Sequence, residues 1–216
     1  MKTIDAKSQD LKALNGALKM SVNGAPVKVR NAAHIDGLAA GFKHGEIMVE
    51  GDVGDYVGVL NAGATIRVAQ SAGKYAGDNM TAGVIIIQGD ADYGVGQYCY
   101  GGTLVVHGNA GNFTATMNKG ATIIVSGNVG DEVGTYMLKG DLVVVGNAGK
   151  NLANYLIRGS VYIGGQWETL GNNTKVVPLS DEDKATLRGY VETYEIKADP
   201  AGFKKVVAAS EKPFYN

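Results

Sequence analysis

One pattern returns every nineteen residues between Gly45 and Gly165, and it constrains the fold more than any other feature of the chain. Its anchors are Gly51, Gln70, Gly89, Gly108, Gly127, Gly146 and Gly165, and the stretch GEIMVEGDVGDYVG is echoed in GVIIIQGDADYGVG, GTLVVHGNAGNFTA and GATIIVSGNVGDEVG. Four residues before each anchor stand Ile47, Ile66, Ile85, Leu104, Ile123, Leu142 and Val161; two before it stand Val49, Val68, Ile87, Val106, Val125, Val144 and Ile163. Every one is a branched aliphatic. The residue between each pair is chemically mixed, running from Met48 and Arg67 to Ile86 and Tyr162, and the one before the pair is mostly polar. Such alternation marks a short strand with one buried face. A second inward column follows two residues past the anchor, in Val53, Ala72, Ala91, Ala110, Val129 and Ala148, small enough for the inside of a tight corner.

Strands recurring at this period, with glycine at the turns and no helical periodicity between, do not form parallel pairs through helical crossovers. They wind as a solenoid in which each repeat is one coil and equal columns stack along the axis. The residue after each anchor (Asp52, Ser71, Asp90, Asn109, Asn128, Asn147, Gln166) then forms a polar ladder along one corner. Gly54, Gly73, Gly111, Gly130 and Gly149 are expected to supply positive φ at a second corner. Together with Gly51, Gly89, Gly108, Gly127, Gly146 and Gly165 they make up the structural corner glycines. The fold class is all-β: a single-stranded, right-handed parallel β-helix of about seven coils, the hand following from the crossover rule, flanked by short capping α-helices.

The open ends of such a solenoid need covers. Residues 1–43 are read as an N-terminal cap: Ser8 opens a helix carrying Leu11, Leu14 and Leu18, Asn23 and Gly24 end it, and VKVRNAAHIDGLAAG enters an irregular first coil where Asn31, His34 and Gly37 replace the usual corner. The β-helix occupies 44–168, and its pattern dissolves through Trp167, Leu170, Gly171 and Asn172. Residues 169–216 form a helical extension. Ser180 caps a helix with acids in its first turn, Asp183 completes a near capping box, and Leu187, Tyr190, Val191 and Tyr194 share a face. A second helix is expected from Asp199 and Pro200, with Phe203, Val206 and Val207 apolar, before the tail EKPFYN. Capping the solenoid and reaching for a partner are equally consistent with these helices.

A net charge of −1 gives no field that draws nucleic acid or an anionic membrane. No apolar run is long enough to span a bilayer, and the first residues lack the apolar core of a signal peptide, so a cytoplasmic address is expected. The one cysteine, Cys99, permits no internal disulfide and no cysteine-held cluster. It has no evident base and reads as packing. His34, His44 and His107 lie far apart, and the pairs Asp52 with Asp55 and Asp90 with Asp92 read as solvated corners rather than calcium ligands. Strings such as GNAGNF lack the lysine and following helix of a phosphate loop. Paired acids on a β-helix also suit polysaccharide cleavage, but nothing singles any pair out. Tyr56, Tyr75, Tyr98, Phe113, Tyr136 and Tyr155, with Met80, Met117 and Met137, read as an outer face able to bind another protein.

The run GDVGDYVG, GNAGNFTA, GNVGDEVG and GNAGKNLA resembles the glycine-rich (GXGXG) repeat domain that ends the large subunit of glutamate synthase. That domain also occurs as a free-standing subunit in split glutamate synthases and in N-methylglutamate synthase. The lead-in VRNAAHIDGL, the exit WETLGNN and the final Phe-Tyr-Asn extend the likeness over nearly the whole chain. The resemblance implies a non-catalytic scaffold of a glutamate synthase-type complex in glutamate biosynthesis, packing between a glutaminase-type amidotransferase subunit and a synthase subunit that holds FMN and an iron–sulfur cluster. It implies no catalytic, cofactor or metal residue on this chain; only the corner glycines carry over, with looser corners at Gln70 and Asp92. Homo-oligomers are compatible with it. The C subunit of formylmethanofuran dehydrogenase is similar in the same repeats and is the alternative reading, a polysaccharide-acting β-helix the more distant one.

Overall fold

The structure is a computed structural model that describes residues 1–22, 24–210 and 212. Its strands, β1 (Lys2–Asp5), β2 (Val27–Arg30), β3 (Glu46–Val49), β4 (Ala62–Val68), β5 (Ala82–Ile87), β6 (Thr103–Val106), β7 (Lys119–Val125), β8 (Lys139–Val144), β9 (Ser160–Ile163), β10 (Thr174–Val177) and β11 (Lys204–Ala208), form one sheet in the order β1 to β9, then β11, then β10. The helices are α1 (Leu11–Ser21) and α2 (Asp181–Thr193). From β1 to β9 every pairing is parallel, and Ile47, Ile66, Ile85, Leu104, Ile123, Leu142 and Val161 stand in register through the stack. This is a parallel β-helix. The second inward column bridges in parallel as well, from Val53 through Ala72, Ala91 and Ala110 to Val129. No helix among the described residues is long and apolar enough to cross a membrane.

The polar ladder runs unbroken. Each side chain accepts from the backbone N–H nineteen residues on: Asp52 from Ser71, Ser71 from Asp90, Asp90 from Asn109, Asn109 from Asn128, Asn128 from Asn147 and Asn147 from Gln166, at 2.7–3.1 Å. These residue types recur because an acceptor on a short side chain satisfies a corner N–H that no strand can reach.

The corner glycines serve a purpose different from the expected one. Neither Gly54, Gly73, Gly111, Gly130 and Gly149 nor the anchor glycines have positive φ. What excludes a side chain is the coil beneath: a Cβ on Gly146 would sit 2.5 Å from Gly127 O and 2.6 Å from Asn128 Oδ1. Two positions, Gln70 and Asp92, depart from glycine. The anchor column is joined by bonds from Gly89, Gly108, Gly127, Gly146 and Gly165 N to the anchor carbonyl below, whereas Gln70 N makes no such bond to Gly51. Asp92 N reaches Gly73 O at a long 3.4 Å.

The caps differ from expectation at both ends. Asp10, not Ser8, caps α1 by accepting from Ala13 N, and α1 buries Leu14 and Leu18 against the end of the core; Asn23, expected at its end, lies outside the described residues. Ahead of it β1 joins the sheet beside β2, an element too short for its periodicity to be read. One extra residue enters the first coil, where Asn31 takes a φ of 60°: Val27 pairs with Ile47, yet Gly37 N donates to Asp55 O. At the other end, the expected second helix is a single 3-10 turn at Pro200–Gly202 followed by β11, which pairs antiparallel with β9 and β10. Val206 is buried between the half-buried Lys205 and Val207, a strand alternation that the short apolar run concealed. The coil also continues beyond Gly165, since Trp167 bridges Ala148 and Leu170 bridges Leu152. The terminal Phe-Tyr-Asn lies outside the described residues.

Candidate functional site

The solenoid presents two outward surfaces with distinct chemistry. On the sheet side, the mixed middle column divides: Ile86, Val105, Ile124, Val143 and Tyr162 are buried beneath Leu187 of α2 together with Ile196 and Phe203. Met48 and Arg67, in the coils that α2 does not reach, are partly or wholly exposed. Helix α2 therefore lies along the flank, neither plugging the end nor standing free. Ser180 and Asp183 close a full capping box at its start.

Two carboxylates pin the helix to the coils. Asp183 Oδ1 accepts from Tyr162 OH at 2.7 Å and from Lys205 Nζ at 2.6 Å, while its Oδ2 accepts from Ser180 N and Oγ. Burial alone would raise the Asp183 pKa, but the bonds from Lys205, Ser180 and Tyr162 outweigh it and hold the carboxyl well below the usual range. Asp141 accepts from Tyr190 OH at 2.8 Å. Burial dominates there and pushes its pKa up, and the Tyr190 phenol, also desolvated, rises to about 12. These groups are locked to one another and to α2. A groove of about 420 Å³ remains where α2 ends, lined by Arg67, Gln88, His107 and Glu195 among others. Burial lowers the His107 pKa against the opposing pull of Glu195.

The second surface is made by the turns that follow the corners. Each turn uses the left-handed region three times at alternate residues, as at Tyr56, Gly58 and Leu60, or Phe113, Ala115 and Met117, or Glu132, Gly134 and Tyr136. The middle position points inward, where a Cβ on Gly58 would meet Ile85 Cδ1 at 2.6 Å. The flanking positions carry the aromatics. Tyr56 stacks on Tyr75 with centroids 4.8 Å apart, Tyr75 meets Tyr93 at 5.5 Å, Tyr93 meets Phe113 at 5.1 Å, and Tyr136 stacks on Tyr155. Tyr93 joins this ladder although it belongs to a neighbouring column. Leu60 is 56% exposed and Tyr56 39%.

Met80 and Met137 are not part of that face. Both are fully buried, in the inward column just past the third left-handed residue, which they share with Cys99, Asn61 and Asn118. Cys99 Sγ donates to Gly77 O, and burial pushes its thiol up to about 12. Asn61 and Asn118 were not foreseen: each side chain accepts from a backbone N–H and donates to the carbonyl three residues on, at Ala64 and Ala121. Their recurrence exactly three coils apart was the available signal. Asp52, Asp55 and Asp90 accept from backbone N–H groups of the next coil, and Asp92 from that of Tyr93. Among the described residues no three His, Cys, Asp or Glu side chains are grouped to hold a metal ion.

A model of the family described as GXGXG motif matches residues 93–212, more than half of the chain. No curated protein matches. Among solved structures, a chain of the formyltransferase/hydrolase complex (FhcABCD) from Methylorubrum extorquens, crystallised in complex with methylofuran, is similar with a TM-score of 0.67 and 24% identity, over 91% of this chain and 85% of that one. At that identity the likeness is one of fold.

Proposed function

The chain belongs to the GXGXG motif family, and from that premise we propose that it is a non-catalytic scaffold subunit of a multi-subunit complex of the formyltransferase/hydrolase kind. The observation that carries this reading is the extent of the structural likeness. It takes in 91% of this chain and 85% of a chain from a formyltransferase/hydrolase complex. The geometry supports a scaffold role: polar side chains at the corners are spent on the ladder, the buried carboxylates fasten α2, and the thiol is sealed in the core. Catalytic groups would then reside on partner subunits.

A second reading, the scaffold of a glutamate synthase-type complex, is favoured by the glycine repeats, which are like those of that enzyme's terminal domain. Its partners would be a glutaminase-type subunit and a subunit holding FMN and an iron–sulfur cluster. Affinity purification from the native cell, with mass spectrometry and a visible spectrum of the eluate, separates the two. Co-purification with formyltransferase-like and hydrolase-like chains supports the first reading. A yellow-brown eluate containing a glutaminase-like chain replaces it with the second, and a colourless chain recovered alone overturns both.

A further inference from the structure

The groove of about 420 Å³ opens where α2 stops covering the sheet flank, and the register of the strands fixes the order of the side chains along it. Arg67 pairs with Ile86 and Ile86 with Val105, so Arg67 and His107, which is two residues beyond Val105, stand on coils two apart. At about 4.8 Å per coil and about 3.3 Å per residue, their Cα atoms are about 12 Å apart. The coil between them supplies Val84 and Ile86 as an apolar floor. Along its length the groove is therefore polar, then apolar, then polar again.

The two polar ends have opposite chemistry. Arg67 occupies a column that is apolar in every later coil, from Ile86 to Tyr162, and its bond to Glu46 is long, 3.4 Å, and uses Nε. Among the described residues its terminal nitrogens make no hydrogen bond, which leaves the guanidinium fork for an incoming carboxylate. At the other end Tyr194 terminates α2, and Glu195 follows it to line the groove together with His107 and Gln88. Burial lowers the His107 pKa, so the imidazole is neutral at pH 7 and keeps one acceptor nitrogen. It makes no hydrogen bond among the described residues, and Glu195 makes no ion pair there. A carboxylate, a neutral imidazole and an amide carbonyl all accept. That end suits an ammonium and repels an anion.

We infer that this groove binds an elongated zwitterion, its carboxylate held by Arg67, its ammonium by Glu195 and His107, and an apolar stretch between them lying on Val84 and Ile86. ω-Amino acids and short apolar peptides share that chemistry. An α-amino acid does not, because one carbon separates its charges and they cannot reach both ends. The inference is independent of the subunit reading, and the failure of either leaves the other standing.

The test is an NMR titration of the labelled full chain at pH 7 with 6-aminohexanoate, following the side-chain signals of Arg67, Gln88 and His107. Saturable shifts at all three with a Kd of about 1–10 mM are expected for a ligand this small. L-Norleucine, a constitutional isomer with adjacent charges, binds about threefold or more weakly, as do hexanoate and hexylamine, which each lack one charge. Both Arg67 and Glu195 are exposed, so their variants keep the fold. Arg67→Gln weakens 6-aminohexanoate by a similar factor without weakening hexylamine, and Glu195→Gln does so without weakening hexanoate. Leucyl-leucine distinguishes the two sources of the chemistry: tighter binding than 6-aminohexanoate assigns the groove to short apolar peptides, weaker binding to ω-amino acids. No saturable shift up to about 50 mM, equal affinity for norleucine or hexanoate, or variants that bind 6-aminohexanoate as wild type does overturn the site.

Discussion

Replacing Gly146 by alanine tests whether close approach of coils, rather than backbone conformation, sets glycine in the anchor column. The new Cβ would lie 2.5 Å from Gly127 O and 2.6 Å from Asn128 Oδ1. Because the first is backbone it cannot swing aside, so the two coils must part by about 0.9 Å to reach ordinary contact. That movement strains the bond from Gly146 N to Gly127 O, 3.1 Å long, and the ladder bond from Asn147 N to Asn128 Oδ1, 2.8 Å long. Overpacking costs about 1–3 kcal/mol and the weakened bonds about 1 kcal/mol more. A loss of about 3 kcal/mol lowers the midpoint by roughly 6–12 °C in a chain of this size. Gly51→Ala is the internal control. It occupies the same column but has nothing within 4 Å of its Cβ and no positive φ, so its stability stays within about 0.5 kcal/mol of wild type. Urea and thermal unfolding followed by circular dichroism measure both. Equal losses in the two variants, or a loss under 1 kcal/mol for Gly146→Ala, refute the reasoning.

Gly189 lies exposed inside α2 with no atom within 4 Å of a Cβ, so Gly189→Ala stabilises the protein by about 0.5–1 kcal/mol in the same unfolding assay. The Cys99 thiol, buried and raised to about 12, does not react with a disulfide reagent at pH 8 until the protein unfolds, which the release of thiolate measures by absorbance. Asp183→Asn leaves Lys205 without its carboxylate and costs about 2–4 kcal/mol at pH 7. Because the Asp183 pKa is depressed in the fold, its contribution is whole above the unfolded value of about 3.9 and drains as pH falls toward the folded value, so the deficit of the variant shrinks in acid. Asp141 has the opposite sign: its raised pKa makes the folded state the tighter proton binder, so stability falls as pH rises from about 3.9 through the folded value. Asp141→Asn, which keeps an acceptor for Tyr190, removes that fall; pH-dependent melting curves read both effects.

The parallel β-helix was legible because the quantity that specifies it repeats. A branched aliphatic at two fixed offsets in every coil leaves one register, and the observed pairing of Ile47 with Ile66 and Ile85 is that register. The elements that went unread do not repeat. Strand β1 has four residues, and β11 alternates over five, with Val206 buried between half-buried neighbours. In so short a run, the strand and helix periods predict the same apolar positions. The corner glycines show a subtler failure. Glycine is compatible with positive φ and with close approach, and a single chain does not say which demand it answers; only the neighbour nineteen residues away, Gly127 beneath Gly146, decides it.

The candidate surfaces were half legible for a related reason. In the middle column, the shift from Met48 and Arg67 to Ile86, Val105, Ile124, Val143 and Tyr162 marks the footprint of α2, since a flank under an amphipathic helix must be apolar while a bare one tolerates charge. Reading that shift as a boundary rather than as noise would have placed α2 on the flank before any coordinates. The turn face obeys the reverse logic. There the periodic demand is conformational, and Asn79, Asn151 and Gly94 meet it in the way local physics prefers. Tyr56, Tyr75, Phe113, Tyr136 and Tyr155 do not, and ring contacts between coils, as of Tyr56 with Tyr75 and Tyr136 with Tyr155, go with that departure. A departure from local preference that recurs coil after coil is offset by the contact it makes between the coils.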